Sequence, residues 1–180
     1  MKTRSVLSIA WAAVLFPAIA VAQEGMDPAG PQHAALMKRA GTYETTSRFS
    51  MPGMPGDETK GTATIKAACA GKFLLEENAG TMMGSPFTGI RLLGYNNGTK
   101  EYEATWVYSE STAFLSLRGK SDDDGKTLRL KGDVVEAGET MTLHVHYSFE
   151  SDDKIVVKLY GGDPASKDTP VLEEVYTRKK

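Results

Sequence analysis

The sequence predicts an all-β domain of roughly ten antiparallel strands in up-and-down order, closed into a barrel and capped by one short N-terminal helix. Three observations carry this expectation. Between Lys72 and Ser109 lie three apolar-rich runs, 72–80, 86–95 and 101–109. They are joined only by Thr81-Met-Met-Gly84 and Asn96-Asn-Gly-Thr-Lys100, short links of the kind that close hairpins. The same rhythm continues to the C-terminus. Finally, several runs alternate with period two: Tyr102, Ala104, Trp106 and Tyr108 share a parity opposite Glu101, Glu103 and Thr105. One face for burial and one for water suits an antiparallel sheet, and closing it removes its exposed edges.

Taken in order, the first 22 residues read as an export signal. Lys2 and Arg4 supply a basic start, Val6 to Ala20 an apolar run, and Ala20-Val21-Ala22 a small-x-small cleavage site before Gln23. The run is short for a membrane span and contains Pro17. The expected mature chain is exported, periplasmic or secreted, with no membrane span. Residues 23–30 read as a flexible leader and 31–180 as the barrel domain. A formal charge of −2 becomes more negative once Lys2 and Arg4 are removed. That charge, without basic runs, argues against nucleic-acid partners. Cys69 is the single cysteine, so no intramolecular disulfide is possible.

Pro31 to Arg39 reads as the helix: Pro31 suits the first helical position, Ala34 to Lys38 are good helix formers, and Gly41 follows as a terminator. Strands are expected near 41–50, 60–69, 72–80, 86–95, 101–109, 113–120, 127–135, 139–150, 154–160 and 171–178. Links after even-numbered strands are tight and polar, as at Ala70-Gly71, 96–100, 121–126 and 151–153. Links after odd-numbered strands are longer and more apolar, as at 51–59, 81–85 and 161–170. In an up-and-down barrel the two sets occupy opposite ends. The helix enters at the tight end, so it can close a floor and leave an open mouth opposite, and strand 41–50 should pair with strand 171–178.

The helix followed by Gly41-Thr42-Tyr43 resembles the Gly-x-Trp start of lipocalin-like (calycin) barrels, with tyrosine in place of tryptophan. Several longer segments resemble a bacterial family catalogued as domain of unknown function 1579. They are His33 to Tyr43, Gly71 to Glu77, Gly80-Thr-Met-Met-Gly-Ser-Pro-Phe-Thr-Gly89, Leu93-Gly-Tyr-Asn96 and Tyr176 to Lys180. The resemblance implies a lipocalin-like barrel and no established activity, cofactor or catalytic residue.

Candidate ligand-binding residues follow from parity. Arg91 shares its alternation with Phe87, Gly89, Leu93 and Tyr95, so it is expected to face inward. A buried guanidinium needs an anion, either a ligand carboxylate or a neighbour such as Glu77, placed by parity with Phe73 and Leu75. Tyr43, Trp106, Tyr108 and Tyr147 would supply an apolar wall with polar tips. The lumen wall is expected from Tyr102, Trp106, Leu130, Leu143 and Tyr147. Met51, Met54, Met82 and Met83 fall on two links of one barrel end, giving either a soft metal site or a flexible apolar lip. His144 and His146 share a face, where they could hold a metal or haem, but their parity points to water. No catalytic constellation or cofactor motif stands out. The expected function is binding of a small hydrophobic or carboxylate ligand in the lumen. The alternatives are a barrel enzyme using Glu77 and Arg91, and a filled barrel acting through its loop rim.

Overall fold

A computed structural model describes residues 27–50, 56–136, 138–162, 164 and 169–180. The expected export signal, most of the expected leader and the Met51/Met54 part of the expected rim lie outside the described residues. The short helix α1, Pro31–Met37, precedes ten strands. These are β1 (Gly41–Phe49), β2 (Glu58–Ala68), β3 (Phe73–Met82), β4 (Ser85–Asn96), β5 (Glu101–Tyr108), β6 (Leu115–Ser121), β7 (Thr127–Glu136), β8 (Glu139–Phe149), β9 (Lys154–Tyr160) and β10 (Leu172–Arg178). Every strand pairs with its sequence neighbour, and β1 pairs antiparallel with β10 from Tyr43↔Arg178 to Phe49↔Leu172, so the barrel closes as expected. The chain is thus an all-β, ten-stranded antiparallel barrel with one short N-terminal helix.

The turn chemistry explains the sharpest hairpin. Met82 pairs with Ser85, leaving Met83 and Gly84 as a two-residue turn with φ of 49° and 82°. Positive φ at both central positions matches the twist of the flanking strands and favours glycine at the second.

The inward parity of each strand carries the core. Leu115 and Leu117 from β6, Leu128 and Leu130 from β7, Val145 and Tyr147 from β8, and Ile155 and Val157 from β9 are all buried. Their outward neighbours Arg129, Lys131, Ser116 and Arg118 are exposed. Large side chains therefore fill the β5–β9 half of the interior.

The helix closes one end. His33 Nδ1 accepts from the Gly30 amide at 2.9 Å and its Nε2 donates to the Tyr95 carbonyl at 3.0 Å. Tyr43 Oη donates to the Arg39 carbonyl at 2.8 Å, and Arg39 donates to the Ser151 carbonyl at 2.9 Å. Arg178 reaches the Lys38 and Ala40 carbonyls. These bonds tie the end of the helix to the tight links at 96–100 and 151–153, and so supply partners for carbonyls that a helix leaves open. Met82 and Met83 lie at the opposite end. No described helix is long and apolar enough to cross a membrane.

Candidate functional site

A row of polar side chains crosses the middle of the lumen, and strand register puts it there. Glu76 on β3 is the direct partner of Arg91 on β4, and Arg91 is the partner of Trp106 on β5. All three point inward, so carboxylate, guanidinium and indole stand side by side. Glu174 and Tyr176 approach from β10, which is separated from β3 by β1 and β2. Arg91 Nη1 donates to Glu76 Oε1 at 3.2 Å and also meets Tyr176 Oη, while Arg91 Nη2 pairs with Glu174 Oε2. Tyr176 Oη in turn donates to Glu76 Oε1 at 2.8 Å. The Arg91 guanidinium lies 4.2 Å from the Trp106 ring centroid. The cluster is therefore a brace spanning the barrel, with side chains at most a tenth exposed.

The electrostatics are unbalanced. Arg91 faces two carboxylates and is the only buried arginine or lysine among the described residues. Burial disfavours its charge, but Glu174, Tyr176 and Glu76 more than offset that, holding its pKa well above the ordinary arginine value. Burial pushes Glu76 above its usual value of 4.5; Arg91 opposes the shift and Glu174 adds to it. Burial likewise raises Tyr147 to about 12. Two buried polar atoms beside the brace, Asn78 Oδ1 and Trp106 Nε1, have no hydrogen-bond partner among the described residues. Both flank Gly89: a Cβ there would lie 2.5 Å from Asn78 Oδ1 and 2.9 Å from Trp106 Nε1. A side chain at residue 89 would displace both groups, so the glycine keeps space for them.

The brace divides the interior. On the helix side the packing leaves a void of only about 20 Å³, bounded by Arg91, Glu76, Tyr147 and Tyr176. On the other side a cavity of about 490 Å³ opens toward the mouth. Its apolar wall is Phe49, Met82, Phe87 and Leu172, and its floor carries Thr45, Asn78 and Glu174. Room exists because the inward residues of β1–β3 are small, notably Ser47, Gly61 and Gly80. A size of this order is ordinary for a small-molecule site, as is a mostly apolar lining with a few polar groups.

The expected site residues distribute as follows. Arg91, Trp106, Tyr147 and Tyr43 are buried and face inward. Tyr43 belongs to the floor, where it bonds to Arg39, and Tyr147 to the packed half. Tyr108 sits near the mouth and donates to Glu136 Oε1 at 2.9 Å. Glu77 requires correction. It faces outward and binds Lys66 Nζ at 2.9 Å, and the inward carboxylate is Glu76. The run Phe73-Leu-Leu-Glu-Glu77 is apolar and then acidic on both parities, so alternation alone does not fix its register. The expected anion for Arg91 is also different, because two protein carboxylates already occupy the guanidinium. The expected lumen wall needs a further correction. Tyr102, Trp106, Leu130 and Tyr147 are buried core, and the cavity lies against β1–β4 and β10 instead.

Sequence reasoning missed Glu76, Asn78 and Glu174. Their signal was available: the inward parities Thr45-x-Ser47, Thr59-x-Gly61 and Asn78-x-Gly80 combine small size with polarity, which marks room rather than packing. His144 and His146 point outward, with His146 against the Tyr160 ring and 3.5 Å from Arg129. Burial and Arg129 lower the His146 pKa. These side chains edge an exterior hollow of about 610 Å³, also lined by Arg118 and Lys131, which is separate from the lumen. Among the described residues no group of three or more histidine, cysteine or acidic side chains could hold a metal ion.

Residues 28–178 match the family model described as protein of unknown function (DUF1579), and the chain belongs to that family. No curated protein matches the sequence.

Proposed function

We propose that this DUF1579 protein is a carrier or receptor that takes up a small, mostly apolar molecule in its lumen. One observation carries the reading: the cavity of about 490 Å³ ends on a polar brace instead of running into packed core. An apolar wall favours the body of a ligand through the area it removes from water, and a few polar groups at the end orient it. Catalysis by a Glu77–Arg91 pair loses its support, because Glu77 lies on the outer surface. Export is part of the same proposal, supported by the basic start, apolar run and cleavage site of the first 22 residues. An exported carrier would meet its ligand outside the cytoplasm, and N-terminal sequencing of the protein from its own cells would test that with Gln23 as the expected first residue.

Calorimetric titration with decan-1-ol tests the lumen directly, alongside the variant Ser47→Trp. Ser47 is half-buried and lines the cavity, and its link to the brace is a long 3.4 Å contact to Glu174 Oε1. An indole there therefore fills space while the Arg91 pairs with Glu76 and Glu174 remain. The expected result is saturable one-site binding by the natural protein, lost in Ser47→Trp while its thermal unfolding is kept. Binding that survives the filled lumen would refute the proposal.

A further inference from the structure

Resting on the lumen reading, the further question is which polar head the cavity floor accepts. The charged group at its inner end is a carboxylate. Glu174 lines the cavity; its Oε2 is engaged by Arg91, whereas its Oε1 receives, among the described residues, only a long 3.4 Å contact from Ser47 Oγ. Asn78 also lines the cavity and is 8% exposed. Its amide nitrogen donates to Glu76 Oε1 at 3.2 Å, and its Oδ1 is buried beside Gly89 and has no partner among the described residues. The single lysine of the lining, Lys60, is exposed and on the outward parity of β2. Arg91, the cation that would attract a carboxylate, does not line the cavity and is held by Glu76, Glu174 and Tyr176.

We propose that the lumen selects an apolar molecule carrying one primary amine, whose ammonium group docks on Glu174 Oε1, and that it rejects carboxylic acids. An ammonium has three donors and no acceptor, so it pairs with the Glu174 carboxylate. It also supplies the charge that the brace lacks, with one guanidinium set against two carboxylates. A carboxylate head would meet the Glu174 carboxylate, and like charges brought together in a desolvated site repel strongly. Specificity would then come as much from repulsion of acids as from attraction of amines. Glu76 provides a second signature. It is faced by Arg91 from β4, Glu174 and Tyr176 from β10, Asn78 on its own strand and Tyr147 from β8. A cation arriving beside Glu174 favours loss of any proton that Glu76 holds.

The test is calorimetry of the full chain at pH 7 with three probes of one chain length: decylamine, decan-1-ol and decanoate. The natural protein is expected to bind decylamine at least about tenfold more tightly than decan-1-ol, the scale of one charge-assisted hydrogen bond, with decanoate weakest. Glu174→Gln keeps the shape and removes the charge; it should erase most of the amine's advantage while leaving the alcohol within about twofold. Ser47→Trp should abolish binding of both, which separates lumen binding from attraction of cations to an acidic surface. Decanoate binding as tightly as decylamine would overturn the proposal, as would an amine-to-alcohol ratio unchanged in Glu174→Gln. If the alcohol binds and the amine binds no better, the lumen reading stands and amine selection falls. If none of the three binds, both fall. The ranking in the natural protein decides the matter even if a variant does not fold.

Discussion

Replacing Arg91 with methionine removes the cation from a brace whose side chains are 4%, 10% and 7% exposed for Arg91, Glu76 and Glu174. Two carboxylates would then face each other across the lumen with no counter-charge. Breaking a buried ion pair by deleting one partner costs about 3–5 kcal/mol, most of it the penalty on the charge left behind. That is a large share of the ~5–15 kcal/mol that holds a domain folded. With a urea slope of about 2 kcal/mol/M the unfolding midpoint should fall by about 1.5–2.5 M. The loss should shrink at lower pH, because burial already raises the Glu76 pKa and its protonation removes one of the two opposed charges. Adding Glu76→Gln and Glu174→Gln to Arg91→Met should restore part of the stability, since the penalty comes from uncompensated charge. Equilibrium urea unfolding by circular dichroism measures all three proteins. A cost below about 1 kcal/mol for Arg91→Met, or a triple variant less stable than the single one, would refute the brace as a desolvated charge cluster.

Three further outcomes are expected. Gly89→Ala places a Cβ 2.5 Å from Asn78 Oδ1 and 2.9 Å from Trp106 Nε1, so it should cost about 1–3 kcal/mol in urea unfolding through overpacking. Glu76 has a folded pKa raised above 4.5, so the natural protein should lose stability relative to Glu76→Gln as pH rises from about 4.5 through that higher value. Thermal unfolding of both proteins across this range reads the difference, and a difference that grows in favour of the natural protein with rising pH would contradict the burial of Glu76. Tyr43→Phe removes the 2.8 Å bond to the Arg39 carbonyl; it should cost about 1 kcal/mol and speed amide exchange in α1 and at Arg39.

The architecture was legible because nearly every strand alternates and every tight link carries glycine, asparagine or aspartate. Tyr102-x-Ala104-x-Trp106 and Leu128-x-Leu130 each allow one parity, so their faces follow from the residues alone. The two sets of links located the helix and the mouth at opposite ends by the same logic. The site was harder to read for a physical reason. Phe73-Leu-Leu-Glu-Glu77 has apolar and acidic residues on both parities, and only its pairing with Arg91 across β4 selects Glu76. Glu174 follows the same rule: Glu173 and Glu174 are chemically identical neighbours, and Glu173 pairs outward with Lys158 at 3.3 Å. Which of two adjacent glutamates is buried depends on where the barrel closes, a contact more than 80 residues away from Arg91 in sequence. The position of the cavity is likewise a matter of volume and not of polarity, because aromatic parities fill space and the small residues of β1–β3 leave it open.

The central claim is that a small molecule sits between the brace and the mouth. Intermolecular nuclear Overhauser effects from a bound decyl chain to the described side chains test it most directly. The account predicts contacts from the chain to the Met82 methyl, the Leu172 methyls and the Phe87 ring, with the head-group carbon nearest Asn78 and Glu174. Contacts confined to Tyr160, His144 and His146 on the exterior hollow would contradict it.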